Sequence, residues 1–543
     1  MSIDCVEVPS DTRIDIAVLK ERGFIGLEKG LRTGRPRFPY CSRPWCPGNR
    51  AYLCDLGYYT DASSNGPSKV RIYTSTVRSI LASRFYDMIS AGFQHSPLVR
   101  RLWPVMWKPI AKLSGYEELS ASSSFKLNNL DVVEVDVLVV GGGLAGIEAS
   151  LTAARMGASV LLVEYRRLGG FIRLLDSGLV DERVRLIRES RGVRILEGYK
   201  YIGVFSEGHI VTGNGSVILV KPKSVVYATG SISPPPLALN NDLPGLVSLD
   251  YGLELLSEGY RPKRAVILGG SYWSARVAKV IADSGVTVSF IPVDDIGKEA
   301  EELLSGSGIG VEEGRVLGFK GMERVSGVIL DDGRVIKGDI VLSGVEEYPD
   351  ANVVYAIGAS SNYCNGRGII VPQVNKFLGV KPNVFIAGSI IGDQSLDETH
   401  TGARLAGAAA ASRSGHGDIS DVESIAEEYW KLKTYECQGG EVASTVRVWL
   451  SGSIEGLQFV DVEAEVTITD LVRAWESGYR SMEKIKRVTG LGTGLEQGRF
   501  SAHTAALLLS RIYGASVSDI GLFKSRPPHM LPSFGDLIVG GLE

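Results

Sequence analysis

Cysteine and histidine are scarce, six of each in 543 residues. Six cysteines in a chain of this length do not make a disulfide framework, and they are expected to be reduced and buried. The histidines (His95, His209, His400, His416, His503 and His529) show no H-x3-H or H-E-x2-H spacing, so no metal site is expected. No apolar run approaches the roughly 18 residues of a spanning helix. The most apolar stretch, Val137 to Val163, is broken by Glu148 and Arg155. The start, MSIDCVEVPSD, has neither a basic segment nor an apolar one, so no secretory signal is read and a cytoplasmic location is expected. A surplus of one charge is also missing. Lys+Arg 58 against Asp+Glu 62 gives a net charge of −4, without the basic footprint a nucleic-acid partner requires. No nucleophile elbow, Walker loop or paired-carboxylate arrangement stands out, so no catalytic side chain is assigned.

Glycine, by contrast, is abundant: 65 residues, about 12% of the chain against an average of ~7%. Residues 1–130 are irregular, with a Pro/Cys/Arg-rich centre (Gly34–Arg50), an aromatic stretch around Trp103–Trp107 and a linker-like run, Ser120–Ser124. From Val133 to Gly415, short Val/Ile/Leu runs alternate with Ala-rich helical stretches and glycine turns, the pattern of βαβ units on a parallel sheet. Beyond Asp418 the periodicity is helical, as in Ile468–Lys486, and a Pro-rich segment, Arg526–Asp536, follows.

The strand Asp136–Val140 runs straight into Gly141-Gly142-Gly143-Leu144-Ala145-Gly146. An Ala-rich helix follows, then a second strand, Ala158–Val163, that ends in Glu164, 23 positions after the first glycine. This is G-x-G-x-x-G in its required strand–turn–helix setting. Gly141 permits the tight turn, Gly143 lets the main chain approach a pyrophosphate, and Gly146 lets helix and strand pack closely. The helix N-terminus supplies N–H donors and a positive dipole end. Glu164 would accept the adenosine ribose hydroxyls, favouring FAD or NAD over NADP, although Arg166 and Arg167 could accommodate a 2′-phosphate. Gly169-Gly170, the strand exit Ala228-Thr229-Gly230, and Gly388 after the strand Asn383–Ala387 are further candidates for the carboxyl edge of the sheet.

These features resemble the two-dinucleotide-binding flavoproteins, in which the Ala-Thr-Gly stretch and the last strand-end glycine lie near the first nucleotide. The aspartate usual after that glycine is Ser389 here. A second strand–turn–helix, Arg264–Leu268 followed by Gly269-Gly270-Ser271-Tyr272-Trp273-Ser274, carries serine at the second and third glycine positions. The next strand, Val286–Ile291, leads into Asp294-Asp295 without a basic residue for a 2′-phosphate. A fold retained with poor nucleotide binding is expected there.

A narrower resemblance rests on Tyr227–Leu256 with its Asn241-Asp242-x-Pro244-Gly245 core, on LRTGRPRFPYC and Ser90–Tyr116, and on Phe459–Arg499 followed by SRPPHMLP. Together these resemble the alpha subunit of heteromeric sarcosine oxidase and its amine- and proline-dehydrogenase relatives. The resemblance implies two-dinucleotide-binding α/β sheets, a small ferredoxin-like α+β entry domain and a mainly helical C-terminal domain. Its divisions would be 1–130 (entry domain and linker), 131–245 with 356–418 (first nucleotide domain), 246–355 (inserted degenerate domain) and 419–543. The folate-dependent aminomethyltransferase domain that follows the Arg-Pro-Pro stretch in the alpha subunit is not expected.

The family implies FAD or NAD in the first site and an FMN site at an interface. It also implies a partner, an FAD-containing beta subunit that oxidises a small-molecule amine. A non-catalytic nucleotide-binding scaffold, or a stand-alone FAD-dependent NADH oxidoreductase, is the alternative. Shorter relatives carry iron–sulfur clusters. Here Cys41-x4-Cys46 is followed by Asn49 in place of a third ligand, and Cys54 falls at the wrong spacing. In the C-terminal region Asp461, Glu463, Glu496 and Ser501 replace the cluster cysteines, so no cluster is expected. A zinc site on Cys41, Cys46 and Cys54 would lack a fourth ligand. The basic run Lys484–Arg487 is either a solvated helix face or a dock for the interface flavin's phosphate. His400 is either a surface-loop residue or a cofactor contact.

Overall fold

The computed structural model describes residues 5–30, 32–33, 35–41, 43–54, 58–62, 68–73, 101–102, 104–105, 108, 130–293, 296–365, 367–393, 395–433 and 442–532. Trp103, Trp107, most of Ser90–Tyr116, Ser120–Ser124, His95 and Asp294-Asp295 lie outside them. The chain divides into two compact units, one of 1–122, 233–347 and 442–523, the other of 123–232, 348–441 and 524–543. No helix among the described residues is long and apolar enough to cross a membrane.

The second unit is built on an eight-stranded sheet. At its centre Leu130–Val140 pairs in parallel with Val160–Glu164 on one side and Ser216–Tyr227 on the other. Val193–Glu197 extends the sheet beyond Val160–Glu164, and Val384–Ile386 runs parallel to the end of Ser216–Tyr227. Residues Val137 to Val140 are buried without alternation, as befits a parallel strand covered on both faces. The helix Leu144–Arg155 packs against Leu396–Arg413. Their small residues let the two backbones nearly touch: a Cβ on Gly407 would lie 2.3 Å from the Ala149 oxygen.

The first unit holds a five-stranded parallel sheet in the order Leu246–Ser248, Ile340–Gly344, Arg264–Gly269, Thr287–Pro292, Gly310–Val311. An antiparallel three-stranded sheet (Val316–Gly321, Val325–Leu330, Val335–Lys337) accompanies it. Near the N-terminus, Cys5–Val8, Ser68–Arg71, Arg50–Leu53 and Tyr58–Asp61 form an antiparallel sheet with the helix Ile14–Arg22. Four helices, Ile468–Glu476, Met482–Thr489, Ser501–Tyr513 and Val517–Ile520, make its C-terminal part. The mixed α/β class with parallel sheets is as expected from the sequence.

The cysteines are not as expected. Cys5 is bonded to Cys54 and Cys41 to Cys46, with Cα separations of 6.6 and 5.7 Å, and Cys364 is also in a disulfide. No described cysteine is free, which also removes the reading of Cys41, Cys46 and Cys54 as zinc ligands. The cause is register. Cys5 stands opposite Arg71 on one strand pair, and the Cys54 N–H donates to Lys69 on the same strand, so both thiols reach one end of the sheet. Both Cα distances lie within the range a disulfide spans.

Candidate dinucleotide site

All thirteen residues expected to form the first nucleotide site belong to the second unit. Gly141, at φ +106°, makes the turn out of the central strand, and a Cβ there would stand 2.2 Å from the Ala228 oxygen. Gly146 is closer still, its absent Cβ 1.7 Å from the Gly141 oxygen. A Cβ on Gly142 would strike Leu168 and Glu164. Three of the glycines are therefore demanded by the protein's own packing. Gly143 differs: it has an ordinary extended backbone, and a Cβ there would meet nothing within 4 Å. Bare main chain faces open space at the one position where close approach to a phosphate calls for it.

Gly143 is also the N-cap of the helix Leu144–Arg155, and no side chain caps that end. The N–H groups of the first turn, Leu144 and Ala145 included, are thus left for a ligand or water. Gly169 (φ +104°) donates its N–H to Gly142 at 2.8 Å and bridges Gly143. Gly170 passes so close that its Cβ would lie 3.2 Å from the Gly143 Cα. Glu164, 7% exposed, accepts the N–H of Gly142 at 2.6 Å and of Arg166 at 2.8 Å. Its carboxylate therefore ties the glycine turn to the end of the second strand.

The other strand exits meet here as well. The Ala228 N–H donates to Val140, and the Thr229 hydroxyl donates to the Asp350 carbonyl at 2.7 Å. Gly230 (φ +82°) brings its missing Cβ to 3.8 Å from Ser389 Oγ. Gly388 (φ +81°) brings its own to 2.7 Å from the Ala145 Cβ. The residues present fit an adenine dinucleotide lying along this edge.

The second glycine turn is built differently. Ser271 caps its own helix, Tyr272–Asp283, by accepting the Ser274 N–H. Ser274 is fully buried and donates its hydroxyl to the Ser271 carbonyl at 2.7 Å. A side chain caps this N-terminus, whereas none caps the first.

Other singled-out residues prove structural. Asn241 pairs through its side-chain amide with both main-chain groups of Phe459, at 2.9 and 2.8 Å. Asp242 takes Arg35 in a two-pronged ion pair at 2.6 and 2.7 Å. Of the positions that replace the cluster cysteines, Asp461, Glu496 and Ser501 are buried, the Ser501 hydroxyl donates to Glu496, and the three carboxylates bind main chain. Asp461 accepts the N–H groups of Ala464 and Gly492, Glu463 that of Leu495, and Glu496 those of Gly498 and Phe500. Burial pushes Glu463 up to about 8, against the pull of Arg50 and with the push of Glu28 and Asp461. Burial, then Asp461, pushes Glu496 up to about 7. The sequence offered only the acidic residues as a signal of this cluster.

Lys484 and Arg487 are exposed on the helix Met482–Thr489, while Lys486 lies over the Phe523 ring at 4.2 Å. His400 is just past the first turn of the helix Leu396–Arg413 rather than in a loop, 3.6 Å from Glu148. No group of three or more His, Cys, Asp or Glu among the described residues is arranged to hold a metal.

The chain is similar to several known proteins. The sarcosine oxidase subunit alpha of Corynebacterium sp. (strain P-1) is 26% identical over 454 residues, 75% of this chain and 45% of that subunit. The subunit of the same name from Rhizobium meliloti (strain 1021) is 24% identical over 488 residues, 83% of this chain and 47% of that one. The matched stretch thus spans less than half of these curated relatives. The crystal structure of L-proline dehydrogenase from P. horikoshii shares the fold, with a TM-score of 0.69 at 20% identity over 98% of each chain. Residues 455–540 match the sarcosine oxidase A3 domain. The pyridine nucleotide-disulphide oxidoreductase model matches residues 135–412, just over half of the sequence, and the chain belongs to that family.

Proposed function

We propose that this chain is the nucleotide-carrying alpha subunit of a heteromeric, flavin-dependent amine oxidoreductase. The observation that carries the reading is the side-chain-free cradle at Gly143, uncapped and open, beside the acid Glu164. Gly141, Gly142, Gly143, Leu144, Ala145 and Gly146 would receive the pyrophosphate of FAD or NAD. Glu164 would orient the adenosine ribose, and Gly169, Gly170, Ala228, Thr229, Gly230 and Gly388 would wall the remainder. Such a cofactor supplies the electron-accepting ring when bound, and the protein supplies position and field.

The likeness to sarcosine oxidase subunit alpha over most of the chain supports a secondary amine as donor, oxidised on a separate FAD-containing beta subunit. An FMN site at the interface, with Lys484 and Arg487 offered to its phosphate, belongs to the same reading. A self-contained NADH reductase would need the second glycine turn, whose helix end Ser271 already occupies. The test is to co-purify the chain with its native partners and assay amine-dependent dye reduction by each component. Activity that requires both chains supports the proposal. NADH-dependent dye reduction by this chain alone contradicts it.

A further inference from the structure

The helix that carries the cradle bears a buried carboxylate just after its first turn. Glu148, 2% exposed, follows Gly146 by two residues, and helical side chains lean back toward the N-terminus. A fixed negative charge there opposes the field that the helix end offers to a phosphate. Side chains from two other helices face this carboxylate. Arg183, on Gly178–Glu189, donates from Nε to Glu148 Oε1, and His400, on Leu396–Arg413, brings Nε2 to 3.6 Å from Oε2.

Arg183 and His400 keep side-chain exposures of 34% and 36%, whereas that of Glu148 is 3%. The first turn of the His400 helix stands at the cradle itself. A Cβ on Gly388 would lie 2.7 Å from the Ala145 Cβ and 3.8 Å from Thr399, the residue before His400. The remaining charges nearby are engaged or outward. Glu398 is spent in the capping box with Ser395, Arg404 pairs with Glu428 of the neighbouring helix Ile419–Leu432, and Arg183 also reaches Glu182. Asp397 is exposed.

We infer that Arg183 is a positioning residue for the dinucleotide, cancelling the charge of Glu148 so that the helix end keeps a net positive field toward the pyrophosphate. This rests on the reading of Gly141–Gly146 as the nucleotide site. FAD and NAD binding to the full chain, measured by calorimetry, tests it. Arg183→Met weakens binding about tenfold at pH 8, because the buried carboxylate is left uncompensated. Arg183→Lys largely retains affinity. Adding Glu148→Gln to Arg183→Met restores it, since no charge is left to cancel.

A purely structural salt bridge would shift the unfolding midpoint without changing nucleotide affinity. Unchanged affinity in Arg183→Met, or no recovery in a folded double variant, overturns the inference. A wild-type chain that binds neither FAD nor NAD overturns the nucleotide reading itself.

Discussion

Gly146 lies so close beneath Gly141 that the Cβ it lacks would stand 1.7 Å from the Gly141 main-chain oxygen. Two residues of one motif thus meet under a packing constraint, while a Cβ on Gly143 between them would meet nothing within 4 Å. The pair separates fold from function. Gly146→Ala forces the helix away from the strand and costs about 1–3 kcal/mol, read as a lower unfolding midpoint. Gly143→Val leaves the unfolding midpoint near that of the wild type and blocks dinucleotide binding.

The pH dependence of stability has two limbs. Glu463 and Glu496 are raised from an ordinary value of 4.5 to about 8 and about 7. Their contribution is complete below pH 4.5 and is lost as pH rises through 7 and 8. Asp136 goes the other way. Against burial, which raises it, Lys223, Ser159 and His416 hold it below its ordinary 3.8, so its contribution is lost as pH falls below that value. Thermal unfolding from pH 3 to 9 therefore gives a maximum on the acidic side of neutrality. Glu463→Gln flattens the alkaline limb and leaves the acidic one.

The Cys5–Cys54 disulfide bridges a separation of 49 residues, and closing a loop of that length stabilises the fold by about 4 kcal/mol in the chain-entropy model. Peptide mapping without reductant should recover Cys5 linked to Cys54 and Cys41 linked to Cys46. The double variant Cys5→Ser/Cys54→Ser should unfold at markedly lower temperature and keep its dinucleotide. Recovery of these four residues as free thiols contradicts the pairing.

Asn241→Ala strips partners from the Phe459 N–H and carbonyl, both buried. A loss of about 2 kcal/mol is expected, read by denaturant unfolding. Nucleotide affinity should be unchanged, because Asn241 lies in the first unit and the cradle in the second.

What the sequence made legible follows from how local each constraint is. The glycine cradle demands special backbone geometry within six consecutive residues, so its requirement is written where it acts. Glu164 and the strand exits at Gly230 and Gly388 were readable for the same reason, each closing an apolar run. The Asn241-Asp242 core was visible as a motif, but its work was not, since its partner Phe459 lies 218 positions away. Likewise Cys5 and Cys54 meet through strand register rather than spacing. The three carboxylates at Asp461, Glu463 and Glu496 converge on main-chain N–H groups of residues 464 and 492–500, which no periodicity announces. The first unit draws residues 1–122, 233–347 and 442–523 together, a long-range association that local pattern cannot carry.

The central claim is that an adenine dinucleotide lies against bare main chain at Gly143. Its most direct test is to isolate the chain with its native partners, denature it, and identify the released cofactor by chromatography beside the Gly143→Val variant. The account predicts about one FAD or NAD from the first site of each wild-type chain, and none from that site in a variant with the same unfolding midpoint. A wild-type chain that releases no adenine dinucleotide and takes none up from added FAD or NAD would contradict it, as would a variant that retains as much as the wild type.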